Sequence, residues 1–286
     1  MYEGVSPFSL LFQIFYDNIY DMKKIRFFYN DNSRSKKVLG ELRKSLIETK
    51  KFSETHEGDA DYCVAIGGDG AFLRMVNVMN FNSKPKYAGI NTGTLGFLQT
   101  VKPEELKQFE EELLSENFEE SKLSYLECVI KKKEGEEKFC CLNEVVFRER
   151  EYNVVHLNVK VSGAKLESFS GDGMLICSSV GSTAYNLSYG GSIVPHSFNT
   201  MQITPMAPLS NAVYRSLTSS VVLLENEVIE IEPEQFRNDL LIHRDGEHMP
   251  VDDIEKITIR LAEKRLTHLS FGGHSIYEKI NEKFLR

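Results

Sequence analysis

From Met22 to about Glu120, short apolar runs alternate with longer mixed segments. Ile25 to Tyr29, Tyr62 to Ile66 and Tyr87 to Ile90 are brief and flanked by Gly or Asn, which reads as strands, whereas Leu39 to Ile47, Phe72 to Met79 and Leu106 to Leu114 carry apolar residues three and four apart, which reads as helices. A βαβα series of this kind predicts a parallel sheet covered by helices. After Leu123 the texture changes to β-branched segments with period-two alternation, such as Val154 to Val161 and Val221 to Ile231, separated by Gly, Ser and Asn turns. The expected fold is therefore an α/β N-terminal domain with a parallel sheet, followed by a mainly antiparallel all-β C-terminal domain. Ser275 to Leu285 returns to helical spacing and is expected to pack back. The expected division is residues 1–21 as an N-terminal extension, 22–122 as the α/β domain completed by 266–286, and 123–265 as the β-rich domain.

Length agrees with that division: 286 residues correspond to roughly two domains at about 150 residues each. With 41% hydrophobic and 27% charged residues, 19 Gly and 8 Pro, the composition is that of an ordinary globular protein. A net charge of -8 argues against a duplex nucleic-acid binder, which must neutralise many phosphates. The five cysteines (Cys63, Cys128, Cys140, Cys141, Cys177) show no zinc-knuckle or redox spacing and read as reduced thiols of a cytoplasmic protein. The apolar stretch Val5 to Tyr16 lacks a basic start and falls short of the ~20 residues that span a membrane, so neither a signal peptide nor an anchor is expected. The seven histidines have no close metal-ligand spacing and receive no role.

Four stretches carry candidate chemistry. In Val64-Ala-Ile-Gly-Gly-Asp-Gly70 a buried strand runs into a glycine-rich turn and then a helix, the place where an open α/β sheet binds ligands and where backbone N–H groups can meet phosphate. Neither GxxxxGK[ST] nor GxGxxG is present there, so phosphate recognition must follow another design, and a carboxylate, Asp69, stands in the middle of the loop. Read alone, the same four residues could be a tight turn with positive φ angles. Asn91-Thr-Gly-Thr-Leu-Gly-Phe97 again places glycines after a strand, with Phe97 suited either to a ligand ring or to the core. Asn143-Glu144 pairs an amide that can read an adenine edge with a carboxylate that can hold a ribose diol; the bland alternative is a solvated turn. From Gly171 to Gly191 a strand enters a Ser/Gly/Thr turn that opens a helix beside Tyr185, a surface suited to the phosphate, ribose and base of a nucleotide.

Together Gly67-Gly-Asp-Gly70, Asn91-Thr-Gly-Thr-Leu-Gly-Phe97, Asn143-Glu144, Gly171-Asp-Gly173 and Gly181-Ser-Thr-Ala-Tyr185 occur in an order and rough spacing that resembles the NAD kinases, from about Met22 to about Glu247. That resemblance implies phosphorylation of the adenosine ribose 2′-hydroxyl of NAD to give NADP, with ATP or another phosphoryl donor and a divalent cation, Mg²⁺ in the first instance. It implies that Asp69 meets the 2′-hydroxyl in a loop whose Gly68 and Gly70 border the ligands. Asn143 and Thr183 would hold the adenine, Phe97 and Tyr185 would pack on it beside Ala184, and Glu144 would take ribose hydroxyls. Asp172, Ser188 and Ala207 would line the nicotinamide side, and Tyr214 would reach a neighbouring subunit's site, which implies a homo-oligomer, a dimer or tetramer. Arg244-Asp245-Gly246 fits a family hairpin that places Asp245 at the site, although Asp-Gly between strands is first of all a turn signal. Three positions depart from the usual pattern of such enzymes: Ala71 stands where Thr is common, Ser178-Ser-Val-Gly181 replaces a Pro-containing turn, and Ala212 occupies a frequent Arg position.

A ribose hydroxyl is a poor nucleophile near neutrality, and a carboxylate that takes its proton contributes ~10²–10⁴ in rate, which makes Asp69 the candidate base. Two competing readings share parts of the pattern. A lipid or sphingoid-base kinase would use the glycine-rich loop but leaves Gly181 to Tyr185 unexplained. A non-catalytic dinucleotide sensor would keep the adenine-binding residues without the chemistry. The leading reading expects no nucleic-acid and no membrane partner.

Overall fold

The computed structural model describes residues 22–93, 96–151, 153–234, 240–273 and 275–285; the expected extension, residues 1–21, lies outside them. β1 (Lys24–Tyr29) leads to α1 (Ser33–Leu42), which starts where the Asn32 side chain accepts the Ser35 N–H at 2.8 Å and buries Val38, Leu39 and Leu42 along one face. β2 (Ser53–Glu54) is a two-residue edge strand. β3 (Tyr62–Gly67) is buried at every position, so its sequence is continuously apolar rather than alternating, as expected of a strand covered on both faces. α2 (Asp69–Val78), β4 (Lys86–Asn91), α3 (Leu106–Ser115) and β5 (Glu119–Leu123) follow.

The second half is built from strands: β6 (Leu126–Lys132), β7 (Glu136–Cys141), β8 (Glu144–Glu149), β9 (Val155–Val161), the long β10 (Ala164–Ser178), the four-residue helix α4 (Tyr185–Ser188) and β11 (Thr200–Pro208). The stretch Val221 to Ile231, predicted as one strand, is two, β12 (Val221–Leu224) and β13 (Ile229–Pro233). A turn at Glu225-Asn226, closed by Glu227 N–H to Leu224 C=O at 3.2 Å, lets β12 pair with β11 while β13 pairs with β9. β14 (Leu240–Arg244), β15 (Glu247–Met249), β16 (Ile254–Leu261), β17 (Leu266–Ser270) and α5 (Ile276–Ile280) complete the chain, the last continuing as wider turns through Leu285.

Two sheets result. One has the order β2-β1-β3-β4-β17-β5, with parallel pairing from β2 through β4. The other has eleven strands in the order β15-β14-β8-β10-β9-β13-β16-β6-β7, with β11 on β10 and β12 on β11, and its pairings are antiparallel. The α/β plus antiparallel fold read from the sequence is the observed one. Contacts divide the chain into two compact units: residues up to Met75, Lys84–Glu120 and His268 onward form the first, and Val76–Ser83 with Ser121–Thr267 form the second. The first unit's core joins Val38, Leu39 and Leu42 of α1 to Val64 and Ile66 of β3, Phe109 and Leu113 of α3, and Phe271. The second unit's core gathers alternate residues of the antiparallel strands, among them Phe147, Leu157, Phe169, Ile176, Ile231 and Ile257.

Phe147 is wholly buried at the centre of β8, so Phe147→Ala leaves a cavity that the surrounding strands cannot fill. Denaturant unfolding is expected to show the variant about 3–5 kcal/mol less stable; a loss below about 1 kcal/mol would contradict this packing.

Candidate active site

In the first unit the site begins where β3 ends. Gly67 has no room for a side chain, since a Cβ there would lie 2.7 Å from that of Ala71 and 2.9 Å from the Asn30 amide. Gly68 and Gly70 differ. Neither has a positive φ, a Cβ on Gly68 would meet nothing within 4 Å, and one on Gly70 would meet only the tip of Arg74 at 3.8 Å. The tight-turn reading of the loop is thereby corrected, because its backbone is not left-handed. The fold does not require glycine at Gly68 or Gly70, whereas close approach by a ligand would.

Asp69 opens α2, and its carboxylate is held by a second loop: Oδ2 accepts the Phe97 N–H at 2.9 Å and Oδ1 the Leu98 N–H at 3.0 Å. Gly96 allows this, because a Cβ at that position would come within 2.1 Å of Asp69 Oδ1. Lys283 Nζ lies 3.7 Å from Asp69 Oδ2 and 4.8 Å from the Phe97 ring centroid. Phe284 stacks on Phe97 with centroids 5.7 Å apart, and Lys279 Nζ donates to the Phe97 carbonyl at 2.9 Å. Burial pushes the Lys279 ammonium down to about 8, opposed by the Asp69 charge. Phe97, expected to pack on adenine, thus has ring partners within its own unit. A cleft of about 560 Å³ lies beside the carboxyl end of β4, lined by Arg34, Lys37, Lys102 and the Asn91-Thr92-Gly93 turn. Arg34 Nη1 fixes that turn by donating to the Thr92 carbonyl at 3.1 Å.

In the second unit Asn143 and Glu144 are buried rather than solvated. Asp245, in the left-handed conformation at φ 45°, sends its carboxylate into their turn, where it accepts the N–H groups of Leu142 at 2.8 Å, Asn143 at 2.7 Å and Glu144 at 3.3 Å. The residue anticipated as a ligand contact is in this structure the anchor of the Asn143-Glu144 turn. Glu144 accepts the Tyr185 N–H, while its Oε2 is buried with no hydrogen-bond partner among the described residues. Such an orphan acceptor costs free energy unless something supplies a donor, which a sugar hydroxyl can do. Burial first, and the Asp245 charge second, push Glu144 up to about 8, and burial pushes Asp245 up to about 6 against the three backbone donors.

The Gly181 to Tyr185 turn packs directly on this pair: a Cβ on Gly181 would lie 2.2 Å from the Asn143 carbonyl oxygen. Ser178 supports both, donating to Leu142 C=O at 2.6 Å and accepting the N–H groups of Val180 and Gly181 at 3.1 and 3.3 Å. The helix expected after the turn is only α4, preceded by a single 3-10 turn at Val180–Thr183. It is too short for a strong axial dipole, so this segment offers individual N–H groups and hydroxyls instead. Thr183 and Ala184 are half-buried, and Tyr185 and Ser188 are exposed. Asp172 and Ala207 sit on adjacent strands, between the register pairs Gly171–Pro208 and Gly173–Met206, and both are exposed. Ala207 has φ 43°, a left-handed strain of about 1–2 kcal/mol for a residue with a Cβ. Tyr214 is exposed on a separate loop, its ring 5.6 Å from that of His156.

Sequence reasoning missed several residues. Arg148 donates to the Tyr185 hydroxyl at 2.9 Å and the Tyr189 hydroxyl at 2.7 Å; it lies four residues after Glu144 on the same face of β8, a period-two signal. Asn186, fully buried, bonds the Ser182 and Ser192 carbonyls and accepts the Thr204 hydroxyl at 2.6 Å, locking the turn from beneath. Lys279 and Lys283 carried no motif at all.

The raised pKa of Glu144 sets the direction of a pH dependence. Its folded value of about 8 lies above the ordinary 4.5, so ionisation opposes folding: the penalty is absent below about pH 4.5 and grows to its full size as pH rises through about 8. Glu144→Gln is therefore expected to raise the unfolding temperature at pH 8.5 by about 2 °C or more, corresponding to roughly 1 kcal/mol, and to leave it unchanged near pH 4. Equal effects at both pH values would contradict the assignment.

Comparison with known proteins bears on both units. Residues 15–118 match the model of the ATP-NAD kinase N-terminal domain and residues 142–278 that of the ATP-NAD kinase C-terminal domain. The chain is 33% identical over 270 residues to an NAD kinase of Finegoldia magna, covering 92% of this chain and 98% of that one. It is 31% identical over 267 residues to NAD kinase 2 of Halalkalibacterium halodurans, covering 93% and 99%. The fold is shared with a yeast NADH kinase solved with NADH (TM-score 0.80, 20% identity, covering 91% of this chain and 87% of that one). It is also shared with an Archaeoglobus fulgidus NAD kinase solved with ATP (TM-score 0.70, 20% identity, covering 91% and 99%). With both family domains matched in sequence, and with relatives aligned over nearly their whole length, the chain belongs to the NAD kinase family.

Proposed function

We propose that this protein transfers the γ-phosphoryl group of ATP to the 2′-hydroxyl of the adenosine ribose of NAD, giving NADP and ADP. The observation that carries the reading is the Asp69 carboxylate, pinned by two backbone N–H groups at the mouth of a loop whose Gly68 and Gly70 leave the main chain open. Asp69 takes the hydroxyl proton as the ribose oxygen attacks the γ-phosphorus, and the bond from that phosphorus to the β-phosphate oxygen breaks. The main chain at half-buried Gly68 and exposed Gly70, with no side chain in the way, lets phosphate oxygens come close to main-chain donors.

The second unit reads the dinucleotide. The buried Asn143 side-chain amide pairs with the adenine edge together with Thr183; Tyr185 and Ala184 flank the base. Glu144 Oε2 accepts a ribose hydroxyl, satisfying the orphan acceptor. Asp172, Ser188 and Ala207 face the nicotinamide end, and Tyr214, exposed with Val213 and Leu217, belongs to an interface between copies in a homo-oligomer. Asp245 acts through the Asn143-Glu144 turn rather than on the ligand.

Among the described residues no group of three or more acidic, His or Cys side chains could hold a metal ion. That donor set fits Mg²⁺ carried chiefly by donor phosphates and water with at most one carboxylate, Asp69. When bound, the ion neutralises phosphate charge. All five cysteines are free and among the described residues no helix is long and apolar enough to cross a membrane, which supports a reducing, cytoplasmic setting.

Asp69→Asn keeps one acceptor for the loop, sets an amide donor against the second backbone N–H and removes the base. NADP formation is expected to fall by at least about 10²-fold, with NAD affinity by calorimetry within a factor of about two; unaltered turnover would refute the base. Gly96→Ala tests the cradle, since its methyl group must displace the carboxylate. Turnover about 10–100-fold lower is expected from misplacement of roughly 1 Å, and a variant as fast as the parent would contradict that role.

A further inference from the structure

The Gly67–Gly70 loop brings no lysine of its own, yet a positive charge stands at the Asp69 carboxylate, supplied by the C-terminal segment. Lys279 and Lys283 lie four residues apart, so both face the same side of the final helical turns. The two are engaged differently. Lys279 is buried and committed to the Phe97 carbonyl at 2.9 Å, which ties the segment to the loop that holds Asp69. Lys283 is about one-third exposed, and its ammonium sits 3.7 Å from Asp69 Oδ2, an ion-pair distance too long for a hydrogen bond. Its other neighbour is the face of the Phe97 ring at 4.8 Å, which attracts a cation without taking up its N–H donors. Phe284, stacked on the same ring, fixes the backbone next to Lys283. The result is an ammonium held in place by packing, with donors still to give, beside the group proposed to meet the attacking hydroxyl.

We propose that Lys283 is a further catalytic residue, the cation that binds the oxygens of the phosphoryl group in transfer, and that Lys279 positions it and the Asp69 loop. This rests on the kinase reading of the Asp69 site. The Lys283 N–H groups turn from Asp69 to the phosphoryl oxygens, where charge is spread during transfer, and the hydroxyl proton goes to Asp69.

The test compares Lys283→Met, which keeps the stem and removes the charge, with Lys283→Arg, which keeps the charge. Measured on the full-length protein are kcat and KM for ATP, NAD affinity by calorimetry, affinity for a non-hydrolysable ATP analogue, and the unfolding temperature. Lys283→Met is expected to lose at least about 30-fold in kcat/KM for ATP and about fivefold in analogue affinity, with NAD affinity and unfolding temperature unchanged. Lys283→Arg should recover a substantial part of both losses. The assignment is overturned if Lys283→Met stays within about threefold of the parent, or if Lys283→Arg loses as much as Lys283→Met, since the charge would then not be what acts. Should Lys283→Met fail to fold, Lys283→Cys alkylated with bromoethylamine restores the charge: recovery of kcat over the unalkylated variant supports the assignment, and no recovery overturns it. Absence of NADP from the parent protein would instead remove the kinase reading, while the analogue affinities still report on the lysine.

Discussion

The arrangement depends on one interaction: a carboxylate at the start of α2 bonded to two successive backbone N–H groups of a loop from the next βα connection. Hydrogen bonds to a charged acceptor contribute about 1.5–3 kcal/mol each, more than most side chains on the surface obtain. They also fix direction, because the donors belong to main chain and have no rotamers to change. The cost is steric. Gly96 must remain glycine for the loop to approach Asp69 so closely, and the C-terminal residues Lys279 and Phe284 hold that loop at Phe97. Parallel strand order places Gly67 and Asn91 side by side at the ends of β3 and β4, which brings the two loops together before any side chain takes part.

The second unit applies the same physical device with different residues. Asp245 anchors the Asn143-Glu144 turn through three N–H groups, and Asn186 anchors the Gly181–Tyr185 turn through two carbonyls and a threonine hydroxyl. Buried polar groups of this kind are costly unless satisfied, and these two are satisfied. What is left over is informative: Glu144 Oε2 has no donor among the described residues, and strain is stored at Ala207. Unpaired acceptors and strained backbone gather where a ligand is to complete the structure.

Much of this was legible in the sequence. Apolar periodicity identified β1, β3, β4 and the helices between them, and alternation identified β9, because both patterns record which faces are covered. Val221 to Ile231 reads as one strand although Glu225-Asn226-Glu227 puts three polar residues in a row after four apolar ones, a break of period that marks the turn between β12 and β13. The motifs located Asp69, Asn143, Glu144 and Tyr185. They do not separate ligand contacts from anchors: Asp245, expected at the site, bonds the backbone of the Asn143-Glu144 turn. Lys279 and Lys283 were illegible for a different reason: their meaning arises only from the tertiary docking of a C-terminal helix on a loop far away in sequence, and an i, i+4 lysine pair on a polar helix face looks like ordinary solvation.

The central claim is that the Gly96 loop serves catalysis by holding the Asp69 carboxylate, and a double-mutant cycle on NADP formation from radiolabelled ATP tests it most directly. If Gly96 acts through Asp69, the doubly substituted Gly96→Ala, Asp69→Asn protein should retain the residual rate of Asp69→Asn within about threefold. A rate lowered by the full product of the two single effects would show that the loop and the carboxylate act independently, and would contradict the account.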